Sequence, residues 1–526
     1  MYPGREGAWH GVAEALGGEG GGWRLMSLCR ARSLVLVGID ALVVEVEVDV
    51  GAGLPGFSIV GLPDAAVQEA RERVRVAISN SGYTFPIRKV IVNLAPANLR
   101  KEGAAFDLPI ALAILAASGS LPAERLEGSG VVGELSLGGG LRGVRGALSM
   151  AEGGRRGGLT RLVLPEASAP EAAAIRGIEV FGVRTLREAA DFLAGRAGLA
   201  PARPLEKGWE PVDGEDFADV AGQAYAKRAL EVAAAGGHNV LLSGPPGSGK
   251  TMLARRLPGI LPPLTVQESI EVTKVHSAAG EGNGALARER PFRAPHHTIS
   301  ASGLAGGGSS PRPGEVSLAH HGVLFLDEFP EFGRPTLEVL RQPLEDGHVT
   351  ISRVAATLSY PARLTLVCSM NPCPCGYAGD RRRKCRCTLG QIERYQGRIS
   401  GPLLDRIDLF VDVPRLTREE LRAGGPSEPS ERIRERVGRA RERQTARQGA
   451  PNSTLAGRRL REACALRGEC EALFSRAIDR MGLSGRGHDR VLRVARTVAD
   501  IAGEKRIAVE HLAEALNYRR SHLVDR

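Results

Sequence analysis

No apolar run in this 526-residue sequence reaches the roughly 18 residues that a membrane span needs. Residues 1–25 lack the hydrophobic stretch of a signal peptide; they are glycine-rich and precede a second methionine, Met26. They read as a disordered extension, or as a start assigned too early, with Met26 the functional start. Cysteine is scarce and unevenly placed: of eight, four crowd into Cys373–Cys387. Scattered cysteines argue against a secreted disulfide framework and for a reducing cytoplasm with one local site. No internal repeat is visible. What remains is a globular composition, 43% apolar and 25% charged, in a chain too long for one core. The net charge is +10, and Arg381-Arg382-Arg383-Lys384 and the stretch Arg432–Arg447 carry much of the excess. A polyanionic partner would explain it; a solvated basic face is the alternative.

The chain divides by pattern. Val43, Val44, Val46, Val48 and Val50 interleave with acids as in a half-buried strand, and Val67, Ala70, Val74, Ala77 and Ile78 share one helical face. Lys89–Leu94 predicts another strand and Leu108–Ala117 a buried helix. The mixed order suggests an α+β domain over residues 26–195. Residues 196–214 hold several prolines and glycines with little periodicity and read as a linker. An α/β domain is expected from 215 to about 420, and residues 421–526 read as helices only.

The chemistry is concentrated in the middle. Gly244-Pro245-Pro246-Gly247-Ser248-Gly249-Lys250-Thr251 follows the apolar run Val240-Leu241-Leu242 and opens a helical pattern. Strand, glycine loop and helix N-terminus together make a phosphate cradle. Lys250 is expected on the β- and γ-phosphates of ATP and Thr251 on Mg²⁺. A second apolar run, Val323-Leu324-Phe325-Leu326, ends in Asp327-Glu328. Asp327 would hold Mg²⁺ and Glu328 would polarise the attacking water. A third, Leu364–Met370, ends at Asn371, an amide suited to sensing the γ-phosphate. Arg406, near the end of the domain, would reach the transferring phosphoryl group of a neighbouring subunit; a salt bridge with Asp405 or Asp408 is the alternative. Arg486, at the head of a long amphipathic helix, would face the nucleotide, with Arg490 as fallback.

Cys373-x-Cys375 and Cys385-x-Cys387 bracket nine residues, four of them basic. Four thiolates suit tetrahedral Zn²⁺; unligated thiols and an iron–sulfur cluster are the other readings. His296-His297 lies in a Gly/Pro-rich insert, and a loop-stabilising role is expected because no carboxylate lies beside the pair in sequence.

The phosphate loop, the Asp-Glu pair, Asn371, Arg406 and the helical C-terminal part together look like an AAA+ ATPase. The hairpin pattern around Val349–Arg363, with Gly61-Leu62-Pro63-Asp64, Phe106-Asp107-Leu108-Pro109, Phe292-Arg293-Ala294-Pro295-His296-His297 and Asn371-Pro372-Cys373-Pro374-Cys375-Gly376, resembles the YifB/ComM Mg-chelatase-like family. The resemblance runs from Met26 to Asn517. It implies an N-terminal domain with the Lon-protease C-terminal fold, an AAA+ core and a C-terminal helical lid. It also implies a homo-hexamer whose competence-associated member drives DNA branch migration. The Lon-type nucleophile is missing: Ala105 occupies the serine position, and Gly143–Leu148 holds no lysine, so peptide cleavage is not expected. On a DNA motor, Arg353 in the hairpin and Arg381, Arg382 and Arg383 in the cysteine loop would contact phosphates of single-stranded or branched DNA. A chelatase-type or chaperone-like machine acting on a protein partner is the second reading.

Overall fold

The computed structural model describes residues 28–101, 103–205, 215–282, 284–308, 311–352, 357–380, 382–417 and 427–519. Met26, Arg353 and Arg381 lie outside them. Two large sheets organise the chain. The first has seven strands in the spatial order Gly56–Val60, Lys89–Ala95, Asp40–Gly51, Cys29–Val37, Ser129–Val131, Arg161–Pro165 and Glu179–Val183. Its middle is antiparallel and its far side parallel. The valines of Asp40–Gly51 alternate as their pattern requires, with Val44, Val46 and Val48 fully buried. The helices Ala65–Asn80 and Asp107–Ala117 pack on that face. Asp64 caps the first of them by accepting from Val67 N at 2.8 Å.

The second sheet has five parallel strands in the order Phe292–Arg293, Val323–Leu326, Thr365–Met370, Val240–Ser243 and Leu409–Asp412. The continuous apolar runs are explained by burial on both faces. Val240, Leu242, Val323, Phe325 and Val367 point into one core, shared with the helices Ala224–Gly236, Lys250–Ile260, Ser430–Gln448 and Gly485–Ala502. Leu241, Leu324, Leu326, Leu366 and Cys368 point into the other, against Phe329, Leu340, Tyr395 and Leu403. Asn239 ties three strand beginnings together: its amide N–H donates to Asp408, its side chain donates to Arg406 O, and it accepts from Leu366 N, each at 2.9 Å.

Among the described residues after 427 the regular elements are all helical. Four of the seven arginines of the helix Ser430–Gln448 are bonded within the chain. Arg436 pairs with Glu231 at 2.7 Å, Arg441 donates to Ala234 O and Ala235 O, Arg443 donates to Asp500 O, and Arg447 pairs with Asp500 at 2.8 Å. Those four are engaged with other elements, while Arg432, Arg434 and Arg439 are exposed. No described helix is long and apolar enough to cross a membrane.

The helix Val266–Ala279 joins the two halves. Lys274 reaches Asp40 at 2.5 Å and Glu152 at 2.8 Å, and Ser277 Oγ accepts from Gly146 N at 2.9 Å.

Candidate nucleotide-binding site

The phosphate loop connects the strand Val240–Ser243 to the helix Lys250–Ile260. A Cβ on Gly244 would fall 2.2 Å from Val413 O, and Gly249 has a φ of 95°, so backbone space and conformation both demand glycine. Lys250, only 9% exposed, donates to Gly244 O at 2.7 Å, Pro245 O at 3.1 Å and Asn371 Oδ1 at 3.2 Å. Burial lowers its pKa, against the raising influence of Asp327 and Glu328. Ser248 Oγ is buried with no hydrogen-bond partner, a polar orphan that a phosphate oxygen would satisfy.

Thr251 Oγ1 donates to Asp327 Oδ2 at 2.8 Å, and Ser369 Oγ donates to Asp327 Oδ1. The register explains Ser369: Leu326 lies opposite Cys368, so the next residues, Asp327 and Ser369, face each other. A hydroxyl and a carboxylate side by side are hard oxygen donors suited to Mg²⁺. Ser369 was missed in the sequence, although a serine in an otherwise apolar strand was a signal.

Glu328 sits in the left-handed region with a φ of 53°. Its carboxylate lies 3.4 Å from His297 Nδ1, and the His297 ring stacks on His296 at 4.0 Å between centroids. This corrects the reading of the histidine pair: a carboxylate does lie beside it, from 31 residues downstream.

Arg406 and Arg486 stand elsewhere. Lys250, Asp327 and Asn371 gather at the carboxyl ends of the parallel strands. Arg406 and Arg486 line a cavity of about 1040 Å³ beside the strand beginnings, with Asn239, Gly322, Thr365 and Asp408. Arg406, 7% exposed, donates to Pro402 O at 2.7 Å and pairs with Glu345, not with Asp405 or Asp408. Arg486 is 4.0 Å from Asp405, so it does not face this chain's own phosphate loop. Arg490 is committed to Asp408 at 2.6 Å. Although burial opposes ionisation, His238, Arg490 and Asn239 N–H hold the Asp408 carboxyl well below its usual range.

The cysteine loop lies against the phosphate loop. Cys373 Sγ is 3.3 Å from Cys375 Sγ and 3.6 Å from Cys385 Sγ, and all four thiols lie within 4.8 Å of one another. Backbone N–H groups of Arg386 and Tyr377 hold the Cys375 thiol down to about 6. Arg383 stacks over Tyr377 at 5.1 Å; Arg382 and Arg383 N–H both donate to Asp380 Oδ1, at 2.6 and 3.0 Å. The expected hairpin is present as the antiparallel pair His348–Ser352 and Thr357–Pro361.

Family models match three consecutive stretches: Subunit ChlI of Mg-chelatase over residues 46–168, Magnesium chelatase, subunit ChlI over 216–421, and Magnesium chelatase, subunit ChlI C-terminal over 427–519. The YifB protein of Salmonella typhimurium is 46% identical over 498 residues, covering 94% of this chain and 97% of its own length. The competence protein ComM of Haemophilus influenzae is 45% identical over 504 residues, covering 94% of this chain and 98% of its own length. The chain belongs to the YifB/ComM family of Mg-chelatase-like proteins. A more distant relative, the magnesium-chelatase 38 kDa subunit of Rhodobacter capsulatus, is 25% identical over 332 residues, which are 59% of this chain and 88% of that one. The Mg-chelatase-like domain matched over 216–421 contains the phosphate loop, Asp327, Glu328, Asn371 and the cysteine loop, and it supports a family-level ATPase role with ATP and Mg²⁺.

Proposed function

We propose that this protein is an ATP-hydrolysing AAA+ ring motor that acts on single-stranded or branched DNA and drives branch migration in recombination or natural transformation. The observation that carries the ring is the separation of the arginines from the phosphate loop. Arg406 and Arg486 lie at the edge of the sheet where the strands begin, and Lys250 and Asp327 lie where they end. A phosphoryl-stabilising arginine so placed can act only on the nucleotide of a neighbouring copy, and a heterologous contact repeated around an axis closes a ring, here taken as a homo-hexamer. The competence role in the name of one relative and the exposed Arg382 and Arg383 support DNA as the partner. Arg353 and Arg381, outside the described residues, are included in the proposal.

In this reading Lys250 binds the β- and γ-phosphates, Thr251 and Asp327 hold the magnesium ion, and Ser369 fixes the Asp327 carboxylate. Bound magnesium neutralises phosphate charge. Glu328, positioned by His297, takes a proton from the attacking water, and Asn371 registers whether the γ-phosphate is present. Zinc at Cys373, Cys375, Cys385 and Cys387 belongs to the same proposal. An N-terminal domain of the Lon-protease type and a C-terminal helical lid complete it.

The test is the ATPase rate of purified protein alone and with single-stranded, duplex and four-way-junction DNA, alongside migration of the junction. Stimulation that weakens steeply with salt, together with ATP-dependent migration, is expected. ATP hydrolysis indifferent to every DNA, with no migration, would transfer the reading to a chelatase-type or chaperone-like machine, which the resemblance to the 38 kDa subunit favours.

A further inference from the structure

The stretch from Pro372 to Thr388 contains neither helix nor strand among its described residues. Its exposed positions include Arg382, Arg383 and Lys384, and it buries no apolar cluster beyond Cys373. Such a segment cannot hold one conformation by packing; small coreless units rely on a metal or a disulfide. Disulfides are ruled out by distance. The Cys373 and Cys375 sulfurs are 3.3 Å apart, against about 2.05 Å for a bond. A single tetrahedral ion with bonds of about 2.3 Å needs sulfur–sulfur edges of about 3.8 Å. The edges of 3.3, 3.6 and 3.6 Å among Cys373, Cys375 and Cys385 come close to that. All four sulfurs within 4.8 Å leave space for one ion and not for a cluster of several irons. Four soft thiolates in a closed set select zinc among common divalent ions.

What the ion would hold is the nucleotide site. Asn371, which accepts from Lys250 at 3.2 Å, is two residues before Cys373. Pro372 O accepts from Gln396 at 3.1 Å, so the helix Leu389–Gln396 returns the loop to its starting point. Gly376, with a φ of 82°, lies so near the phosphate loop that a Cβ there would meet Pro246 Cδ at 2.6 Å and Asn371 Cγ at 3.8 Å. The cysteine loop therefore presses on Pro246 from one side while Arg415 donates to Pro246 O at 3.1 Å.

We propose that Cys373, Cys375, Cys385 and Cys387 hold one zinc ion whose role is to clamp the phosphate loop, through Gly376 on Pro246 and through Asn371 on Lys250, so that zinc occupancy sets the affinity for ATP. This rests on the nucleotide-binding reading of the loop above. Zinc would act here without touching the nucleotide: it fixes the wall of the site in advance and removes the ordering cost that an unclamped loop would charge against binding.

Two measurements on the full chain separate the parts. Native mass spectrometry of protein purified without chelator counts zinc; about one ion per chain is expected, and a metal-free, folded protein overturns the site. Titration with a fluorescent ATP analogue then compares four proteins: as purified, zinc-stripped, Cys385→Ser/Cys387→Ser, and Gly376→Val. The stripped and double-cysteine proteins should bind ATP about tenfold or more weakly, with zinc restoring only the first. Gly376→Val should keep its zinc yet bind ATP more weakly, because the added side chain displaces Pro246. That variant guards against general unfolding, since retained zinc reports an intact loop. Unchanged ATP affinity on stripping, with zinc shown to be gone, overturns the clamp. Zinc-replete protein that binds no ATP overturns the nucleotide reading on which the clamp rests, and the zinc count stands apart from it.

Discussion

Mild acid should destabilise this protein through one buried histidine. His320, at 1% exposure, precedes the strand Val323–Leu326 that carries Asp327. Its Nδ1 accepts from Arg363 N at 3.0 Å and its Nε2 lies 3.3 Å from Glu271. Nδ1 accepts a hydrogen bond, so in the neutral ring Nε2 carries the proton and donates to Glu271; the ring is fully used. The same reasoning argues against a metal at Glu271, His320 and His321, because Nε2 has no lone pair to give. Burial lowers the pKa of His320 from 6.5 to about 4; Glu271 opposes the shift, and His321 and Arg363 add to it. Glu268 and Arg290 complete the charged surroundings, paired at 3.1 Å. The unfolded imidazole therefore binds a proton before the folded one does, and stability falls as pH drops from 6.5 towards 4. With those two values the loss at pH 5 is about 2 kcal/mol, towards a limit of about 3 kcal/mol. Glu271, held well below its usual range first by its hydrogen bond to His320, does not titrate in this window. The perturbation is His320→Asn, which keeps an acceptor for Arg363 N–H and cannot be protonated. The assay is the thermal midpoint of nucleotide-free protein at about pH 7 and about pH 5. Wild type should lose several degrees more than the variant; parallel losses in both would refute the argument.

Lys250→Ala should weaken ATP binding, whereas Glu328→Gln should bind ATP and hydrolyse it about 10²–10⁴-fold more slowly; equal, near-wild-type turnover in both would contradict the assignments. His297→Ala should slow hydrolysis about ten- to a hundredfold with ATP affinity unchanged, since it positions Glu328 and touches no phosphate; a matching loss of affinity would make its role structural. Arg406→Ala and Glu328→Gln, each inactive alone, should regain activity when mixed, because intact sites form between different subunits; no recovery in rings shown to be mixed would confine Arg406 to its pairing with Glu345.

Legibility followed the range of the constraint. The phosphate loop, Asp327 and Asn371 were readable because each is fixed by the strand beside it in sequence, and an apolar run ending in the right polar residue is a local signal. The parallel sheet followed from those same runs, which are apolar on both faces. The link of His297 to Glu328 and the role of Ser369 were not read, because Glu328 and Asp327 follow another strand and only the strand order brings them together. Arg406 was read as reaching a neighbouring subunit's phosphoryl group, or else as paired with Asp405 or Asp408; its partner within this chain is instead Glu345, 61 residues away. Which arginines of Ser430–Gln448 bond within the chain was not legible either: a charge in sequence carries no mark of whether its hydrogen bonds go to solvent or to the carbonyls of another helix. Lys274, which ties the two halves through Asp40 and Glu152, gave no signal at all.

The strand Thr365–Met370 links the two ends of the candidate site. Its carboxyl end leads to Asn371, which touches Lys250, and from there into the cysteine loop. Its amino end follows the hairpin His348–Pro361 by only a few residues, and Arg363 in that connection bonds twice to the residues just before the Asp327 strand: its N–H donates to His320, and its carbonyl accepts from His321 N at 2.6 Å. A strand buried on both faces and bonded on both edges cannot bend to absorb a shift at one end. A displacement of Asn371 by a γ-phosphate would, in the proposed motor, be passed along the strand to the base of the hairpin, and the His320–Arg363 bond would carry the Asp327 strand with it. In the proposed motor this connection would join the phosphate site at the carboxyl ends of the strands to the hairpin near their beginnings. It also gives the pH prediction a second consequence. Protonating His320 breaks the Arg363 N–H bond, so in the proposed motor the coupling between DNA and ATP hydrolysis should fall as pH nears about 4, where folded His320 takes up its proton, and His320→Asn should preserve it there.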